Sequence, residues 1–243
     1  MTLDDFIQRR NIRTQNEPSV RTLCVSCLQP VFSCYCRHIK KFDSKINFVI
    51  LIHPLEWRRR IATGRMSHLC LENSRLIQGY SYSESKPVNK ILSDPLNYSV
   101  VLYPGSGSIN ISSIDCEAKN HLFPSDKKQA KKLVVFVIDG TWSTASKMVR
   151  RSDNLMALPQ ICFTPPKASN FRVRKQPKAN CYSTIEAIHE VIELLGESQG
   201  FDIKSRKHDG LIHVFDQMVE KQLLCQRQFN SSRHLRNYQS VGK

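Results

Sequence analysis

Two groups of residues in this sequence could do chemistry. The first is a carboxylate. In VVFVIDGTWSTASKMVRR, residues 134–151, five apolar residues run straight into Asp139, then Gly140, Thr141 and Trp142, and then a helical pattern with a basic end. In open α/β sheets, ligands bind beyond the carboxyl ends of the strands. An acid and a large ring at that place either frame a ligand or belong to the cap of the next helix, for which Thr141 and Ser143 are also candidates. The second group is Cys24, Cys27, Cys34 and Cys36, four of the nine cysteines, with two and one residues inside the pairs. Four thiolates suit tetrahedral Zn²⁺, and a closed set leaves no open position for catalysis. The alternative is a set of free cysteines acting as small hydrophobes.

The elements that must position these groups read as α/β. INFVILI (46–52), YSVVLYP (98–104) and LVVFVI (133–138) are continuous apolar runs, as in strands buried on both faces, and QICF (160–163) is a shorter candidate. Residues 60–77 carry apolar positions at helical spacing. STIEAIHEVIELLG (183–196) opens with Ser183 and Glu186 in capping-box spacing and ends at Gly196, and residues 210–229 form a long amphipathic helix. Strands alternating with helices predict a mainly parallel sheet flanked by helices. The expected organisation is a flexible arm (1–20), a metal-binding unit (21–42), a catalytic domain (43–230) and a polar basic tail (231–243). A unit as small as 21–42 has little core, so metal binding would largely fold it.

Lys and Arg outnumber Asp and Glu by 36 to 21 in 243 residues, a formal net charge of +15. Such an excess points to a polyanion, nucleic acid first. Three clusters carry it: Arg58, Arg59 and Arg60 with Arg65; Lys147, Arg150 and Arg151; and Arg172, Arg174 and Lys175. Phe171 and Tyr182 flank the last and suit stacking on an unpaired base. No apolar run approaches the roughly 20 residues that span a bilayer, and MTLDDFIQRRN lacks a secretory apolar region. A soluble, cytoplasmic protein is expected.

The chain resembles the DTW-domain family of tRNA-uridine aminocarboxypropyltransferases over roughly residues 21–225. The resemblance rests on the four cysteines and on HPLEWRRRIATGR (53–65), LYPGS (102–106), DGTWSTASKM (139–148), LP (158–159) and RVRKQPKANCYSTIEAI (172–188), in that order. Ala62 stands where the family usually has Asn, and the loop after Tyr103 is rich in Gly and Ser where an acid is expected.

The resemblance implies a SPOUT-like fold with a C-terminal trefoil knot. It implies transfer of the 3-amino-3-carboxypropyl group of S-adenosylmethionine to N3 of a tRNA uridine, with methylthioadenosine as by-product. Asp139 is then the candidate general base. Tyr103, Pro104, Gly105, Ser106, Gly140, Thr141, Trp142, Leu158, Pro159, Ser183, Thr184 and Glu186 are the candidate cofactor contacts. His53, Glu56, Arg59, Arg60, Arg65, Lys147, Arg150, Arg151, Arg172, Arg174 and Lys175 are the candidate tRNA contacts, and the four cysteines hold structural Zn²⁺. Two other readings stay open: a SPOUT-type RNA methyltransferase and a non-catalytic, zinc-dependent RNA-binding adaptor. Monomer and dimer both fit the sequence.

Overall fold

The computed structural model describes residues 22–105, 107–123, 131–173 and 181–240, by backbone alone from 228. The expected arm (1–20), Ser106, Arg174 and Lys175 lie outside the described residues.

Six strands form one sheet in the order β2-β1-β5-β3-β6-β4: β1 (Asn47–Ile52), β2 (Ser74–Gln78), β3 (Asn97–Leu102), β4 (Ile109–Asn110), β5 (Lys132–Asp139) and β6 (Gln160–Cys162). Every pairing among them is parallel. The strand that carries Asp139 is central. Its neighbours are β1, with Ile52 opposite Asp139, and β3. The chain lays down β1 and β3 first and later inserts β5 between them.

Burial on both faces explains why β5 reads as an unbroken apolar run. Leu133, Val135 and Val137 face one core, and Val134 and Phe136 face the other. The first core is closed by α2 (Thr63–Cys70), α7 (Thr184–Leu195) and α8 (Asp209–Ser240), which pack on one another. The second is closed by α3 (Lys86–Leu92), α5 (Trp142–Arg150) and α6 (Asp153–Met156), through Val88, Ile91, Met148 and Leu155. Two short helices complete the set, α1 (Pro54–Trp57) and α4 (Cys116–Leu122).

The expected helix over 60–77 is shorter than its periodicity suggested. It stops at Cys70, and Ser74–Gln78 pair with β1 as an edge strand. The last helix is longer than expected and runs to Ser240, through the start of the expected tail.

The predicted capping box at α7 is present. Its acid does more than cap. The Glu186 carboxylate accepts from the Ser183 amide (2.8 Å), the Ser183 hydroxyl (2.6 Å), the Ser169 hydroxyl (2.7 Å) and the Asn170 amide (2.8 Å). It fastens the 169–170 turn to the start of α7. Glu186→Gln keeps the size but turns an amide NH₂ toward these donors. A buried donor left without an acceptor costs about 1–3 kcal/mol. The variant is expected to lose more than about 2 kcal/mol in urea denaturation.

Candidate active site

A cavity of about 510 Å³ opens at the carboxyl ends of β3, β5 and β6. Its walls include Leu102, Tyr103 and Pro104 from the end of β3, Val137 to Trp142 around the end of β5, and Cys162, Phe163 and Pro165 beyond β6. Thr63 from α2 and Ser183, Thr184 and Ala187 from α7 complete it. That is the size and the apolar character of a small-molecule site.

Asp139 lines this cavity and is only 5% exposed. The Thr184 hydroxyl, in the first turn of α7, donates to its Oδ1 at 2.6 Å. On another side lies the first turn of α2, so close that a Cβ on Gly64 would stand 2.5 Å from Oδ2. Ala62, at the N-cap of α2, offers no side-chain hydrogen bond of its own. A helix start carries a partial positive charge, so a carboxylate facing two such starts is stabilised as the anion. The cap of α5 falls instead to Thr141, whose Oγ1 accepts from the Thr144 amide at 3.2 Å. Asp139 is therefore not spent on capping α5. Trp142, at 48% exposure, is not spent on core packing either; its ring stands at the cavity wall.

Of the cofactor candidates, Tyr103, Pro104, Gly140, Thr141, Trp142, Ser183 and Thr184 come together around the cavity. The others do not. Gly105 donates its amide to Ser108 Oγ at 2.7 Å, away from the lining. Leu158 packs on the second core, and the Pro159 carbonyl accepts from the Val101 amide at 3.0 Å. Glu186 is committed to the turn it fastens. At the α7 start the Thr184 hydroxyl is thus engaged by Asp139, and the Ser183 amide and hydroxyl by Glu186.

Among the tRNA candidates, Arg59, Arg60, Lys147, Arg150, Arg151 and Arg172 are exposed, as is Arg58. Arg59 also pairs with buried Glu56 at 2.8 Å. Arg65 differs from expectation. It is 4% exposed, stacks on Trp57 with its guanidinium 5.2 Å from the ring centroid, and donates to the Trp57 and Arg59 carbonyls. Burial lowers its pKa, while Tyr35 and Asp139 pull it back up. It is an internal countercharge, not a surface phosphate contact. His53 is buried and caps α1, accepting from the Leu55 amide at Nδ1 (3.2 Å), with Tyr80 edge-on to its ring.

The four cysteines converge as their spacing predicts. All four sulfurs lie within 4.8 Å of one another, with Cys24–Cys36 at 3.7 Å and Cys27–Cys34 at 3.6 Å. A tetrahedron with Zn–S bonds of about 2.3 Å has edges of about 3.8 Å. The amides of Cys27 and Ser26 hold the Cys24 thiol down, to about 6, whereas burial raises Cys27 and Cys36. The set could hold zinc. Gln29 and Lys221 fasten this unit to the rest of the chain, donating to the Arg60 carbonyl (2.6 Å) and the Cys34 carbonyl (3.0 Å).

The sequence profile described as the DTW domain matches residues 21–223, the span that holds both the cysteine unit and the cavity. The chain belongs to the DTW domain family. It is 26% identical over 185 residues to tRNA-uridine aminocarboxypropyltransferase 2 of Drosophila melanogaster, which covers 73% of this chain and 68% of that protein. It is 26% identical to the Mus musculus protein of the same name and 23% identical to that of Macaca fascicularis, with 72% of this chain and 57% of each relative covered. It thus spans little more than half the length of these two. No solved structure gives a significant match.

Several residues of the DTW cavity escaped the sequence reading. Phe163 and Pro165 follow β6, and the rule that ligands meet strand ends could have found them. Phe171 and Tyr182, expected to stack on an unpaired base, also line the cavity. Phe171 is buried against Phe215 (5.4 Å between ring centroids), and Tyr182 leans on Phe163 at 5.6 Å. Gly64 matters through what it lacks. By propensity alone, Gly64→Ala would gain about 1 kcal/mol in a helix. Overpacking beside Asp139 costs about 1–3 kcal/mol. The expected outcome is a net loss of stability by denaturant titration, with the carboxylate displaced and ligand affinity of the cavity reduced in calorimetry.

Proposed function

We propose that this DTW protein transfers the 3-amino-3-carboxypropyl group of S-adenosylmethionine to N3 of a uridine in tRNA. The observation that carries this reading is the buried carboxylate of Asp139 lining an open cavity beside the half-exposed Trp142. The names of the relatives give the reaction class, and the site chemistry agrees with it.

When bound, S-adenosylmethionine supplies a sulfonium-activated carbon, so that a bond from uridine N3 replaces that carbon's bond to sulfur and methylthioadenosine leaves. The chain's own residues must take a proton, orient and exclude water. Uridine N3 is a poor nucleophile until it loses its proton, and Asp139 is placed to accept it as general base. Thr184 fixes the rotamer of that carboxylate through Oδ1. Trp142 offers a face for adenine or for the cationic sulfur. Leu102, Val137 and Phe163 line the cavity with apolar surface that excludes competing water. Exposed Arg58, Arg60, Lys147, Arg150, Arg151 and Arg172 suit the tRNA backbone.

Three finer readings go with this one. The all-parallel sheet, with its cavity at the strand ends, supports a SPOUT-like relation, from which a trefoil knot in the second half follows. The tetrahedral spacing of the cysteine sulfurs supports structural Zn²⁺ at Cys24, Cys27, Cys34 and Cys36. A tRNA substrate goes with a cytoplasmic location; among the described residues no helix is long and apolar enough to cross a membrane.

The deciding experiment incubates the protein with unmodified tRNA and S-adenosylmethionine labelled separately in the methyl and carboxyl groups. Carboxyl label is expected in the RNA, with methylthioadenosine released. Methyl label in the RNA would replace this reading with a methyltransferase, and no label in any tRNA would replace it with an RNA-binding adaptor. Asp139→Asn is expected to lower the rate roughly 10²–10⁴-fold, the range for a positioned base, while the folded fraction stays unchanged by circular dichroism. Arg60→Ala and Arg172→Ala are each expected to lower the salt slope of tRNA binding by about one.

A further inference from the structure

A second group of metal-type ligands lies apart from the cavity and from the cysteine unit. His189 and Glu193 stand one turn apart on the same face of α7. His208 and Asp209 meet them from the start of α8. The four ligand atoms, one per residue, lie within 4.8 Å of one another. His189 Nε2 is 3.0 Å from Asp209 Oδ1, His208 Nε2 is 3.0 Å from Glu193 Oε1, and His208 Nε2 is 3.9 Å from Asp209 Oδ1. A tetrahedron with Zn–N and Zn–O bonds of about 2.0–2.1 Å has edges of about 3.4 Å. The observed separations bracket that value.

The second observation concerns His208 itself. It is fully buried, and neither ring nitrogen makes a directed hydrogen bond, although Nε2 lies so near the Glu193 carboxylate. An imidazole nitrogen and a carboxylate oxygen at that distance need either a proton or a metal ion between them. Buried polar groups in native proteins are overwhelmingly satisfied, and an orphan calls for an explanation such as an ion. Arg206 supplies a positive charge nearby. It contacts Glu193 Oε1 at 2.6 Å and Asp209 at 2.6 and 2.9 Å. Its guanidinium serves the two carboxylates and leaves His208 unserved. Arg206 is also half exposed, so it can swing into water when a stronger cation arrives.

We propose that His189, Glu193, His208 and Asp209 form a second, structural site for a divalent transition-metal ion, with Zn²⁺ the best match. Two imidazoles with two carboxylates select zinc over magnesium or calcium, which prefer all-oxygen sets. Four protein ligands close the site, so its role is to tie α7 to the start of α8. Entry is from the Asp209 side, where the ligand carboxylate is 46% exposed and Arg206 acts as the displaceable occupant. The inference stands apart from the proposed transferase activity, since it rests on different residues, further along α7 and at the start of α8.

The test strips the full-length protein of metal and titrates it with Co²⁺ and then Zn²⁺. Thiolate-to-cobalt charge transfer in the near ultraviolet reports the cysteine set. Visible cobalt bands without charge transfer report an imidazole and carboxylate set. Two ions per chain are expected, with both signatures. His208→Gln should remove the second ion and its visible bands while the thiolate signature stays. Glu193→Gln, at a partly exposed position, does the same if His208→Gln fails to fold. Arg206→Gln removes the competing cation and should tighten the second ion by roughly tenfold. One ion per chain with only the thiolate signature would overturn the proposal. So would a second ion that binds Arg206→Gln alone, because the guanidinium would then be the natural occupant.

Discussion

The structure turns on keeping one carboxylate charged in a nearly dry place. An isolated carboxylate in an apolar interior costs so much that it would normally take up a proton. Asp139 stands at the end of the central strand, and a few neighbours lower that cost. The Thr184 hydroxyl donates to it, and the first turns of α2 and α7 face it. The buried guanidinium of Arg65 is within its electrostatic reach. Each partner is itself fixed by something else. Arg65 is held by two backbone carbonyls and the Trp57 ring. The α7 start is held by Glu186 to the 169–170 turn. Strand β5 enters between β1 and β3, so the position of the acid follows from the topology of the sheet.

This arrangement explains which parts of the site were legible in the sequence. Strand β5 was legible because a strand buried on both faces must be apolar at every position, and an acid after such a run stands out. The capping box and the four cysteines were legible because their chemistry is local, set by spacings of a few residues. Strand β2 was not, because an edge strand is only half buried and Ser74–Gln78 carries polar residues at both ends and Arg75 within it. Its Leu76 also falls at helical spacing from α2. Strand β4 has two residues and no pattern at all.

The misplaced site residues share a different cause. Arg65 sits in a run of basic residues and looks like its neighbours Arg58, Arg59 and Arg60. What separates it is its place inside α2, where its side chain turns inward under Trp57. Phe171 and Tyr182 neighbour a basic stretch, so their rings invited an RNA role. Tertiary packing buries Phe171 against Phe215 and sets Tyr182 beside Phe163 in the cavity wall. Glu186 was read as a cofactor contact from its place in a motif, yet its lone pairs are used by the protein. In each case the residue type was informative and the direction of the side chain was not, because direction depends on elements far away in sequence.

Phe171 also joins the two halves of the molecule. It lines the cavity that holds Asp139 and, on another side, a second cavity of about 430 Å³ bounded by Gln29, Pro30 and Phe32 of the cysteine unit, Arg59 and Arg60, and Gln222 and Cys225 of α8. Gln29 is buried and donates to the Arg60 carbonyl, so the cysteine unit directly supports the arginine segment. That segment leads into α2, whose first turn faces Asp139. The cysteine unit is therefore part of the support of the site. The unit shares its core with the rest of the chain, for Cys27 and Tyr35 are buried in the first core. A shift of the unit would reach the carboxylate through Arg60 and α2 and through the shared wall at Phe171. A cysteine set that stands away from the cavity thus still bears on it, by supporting the segment that leads into α2.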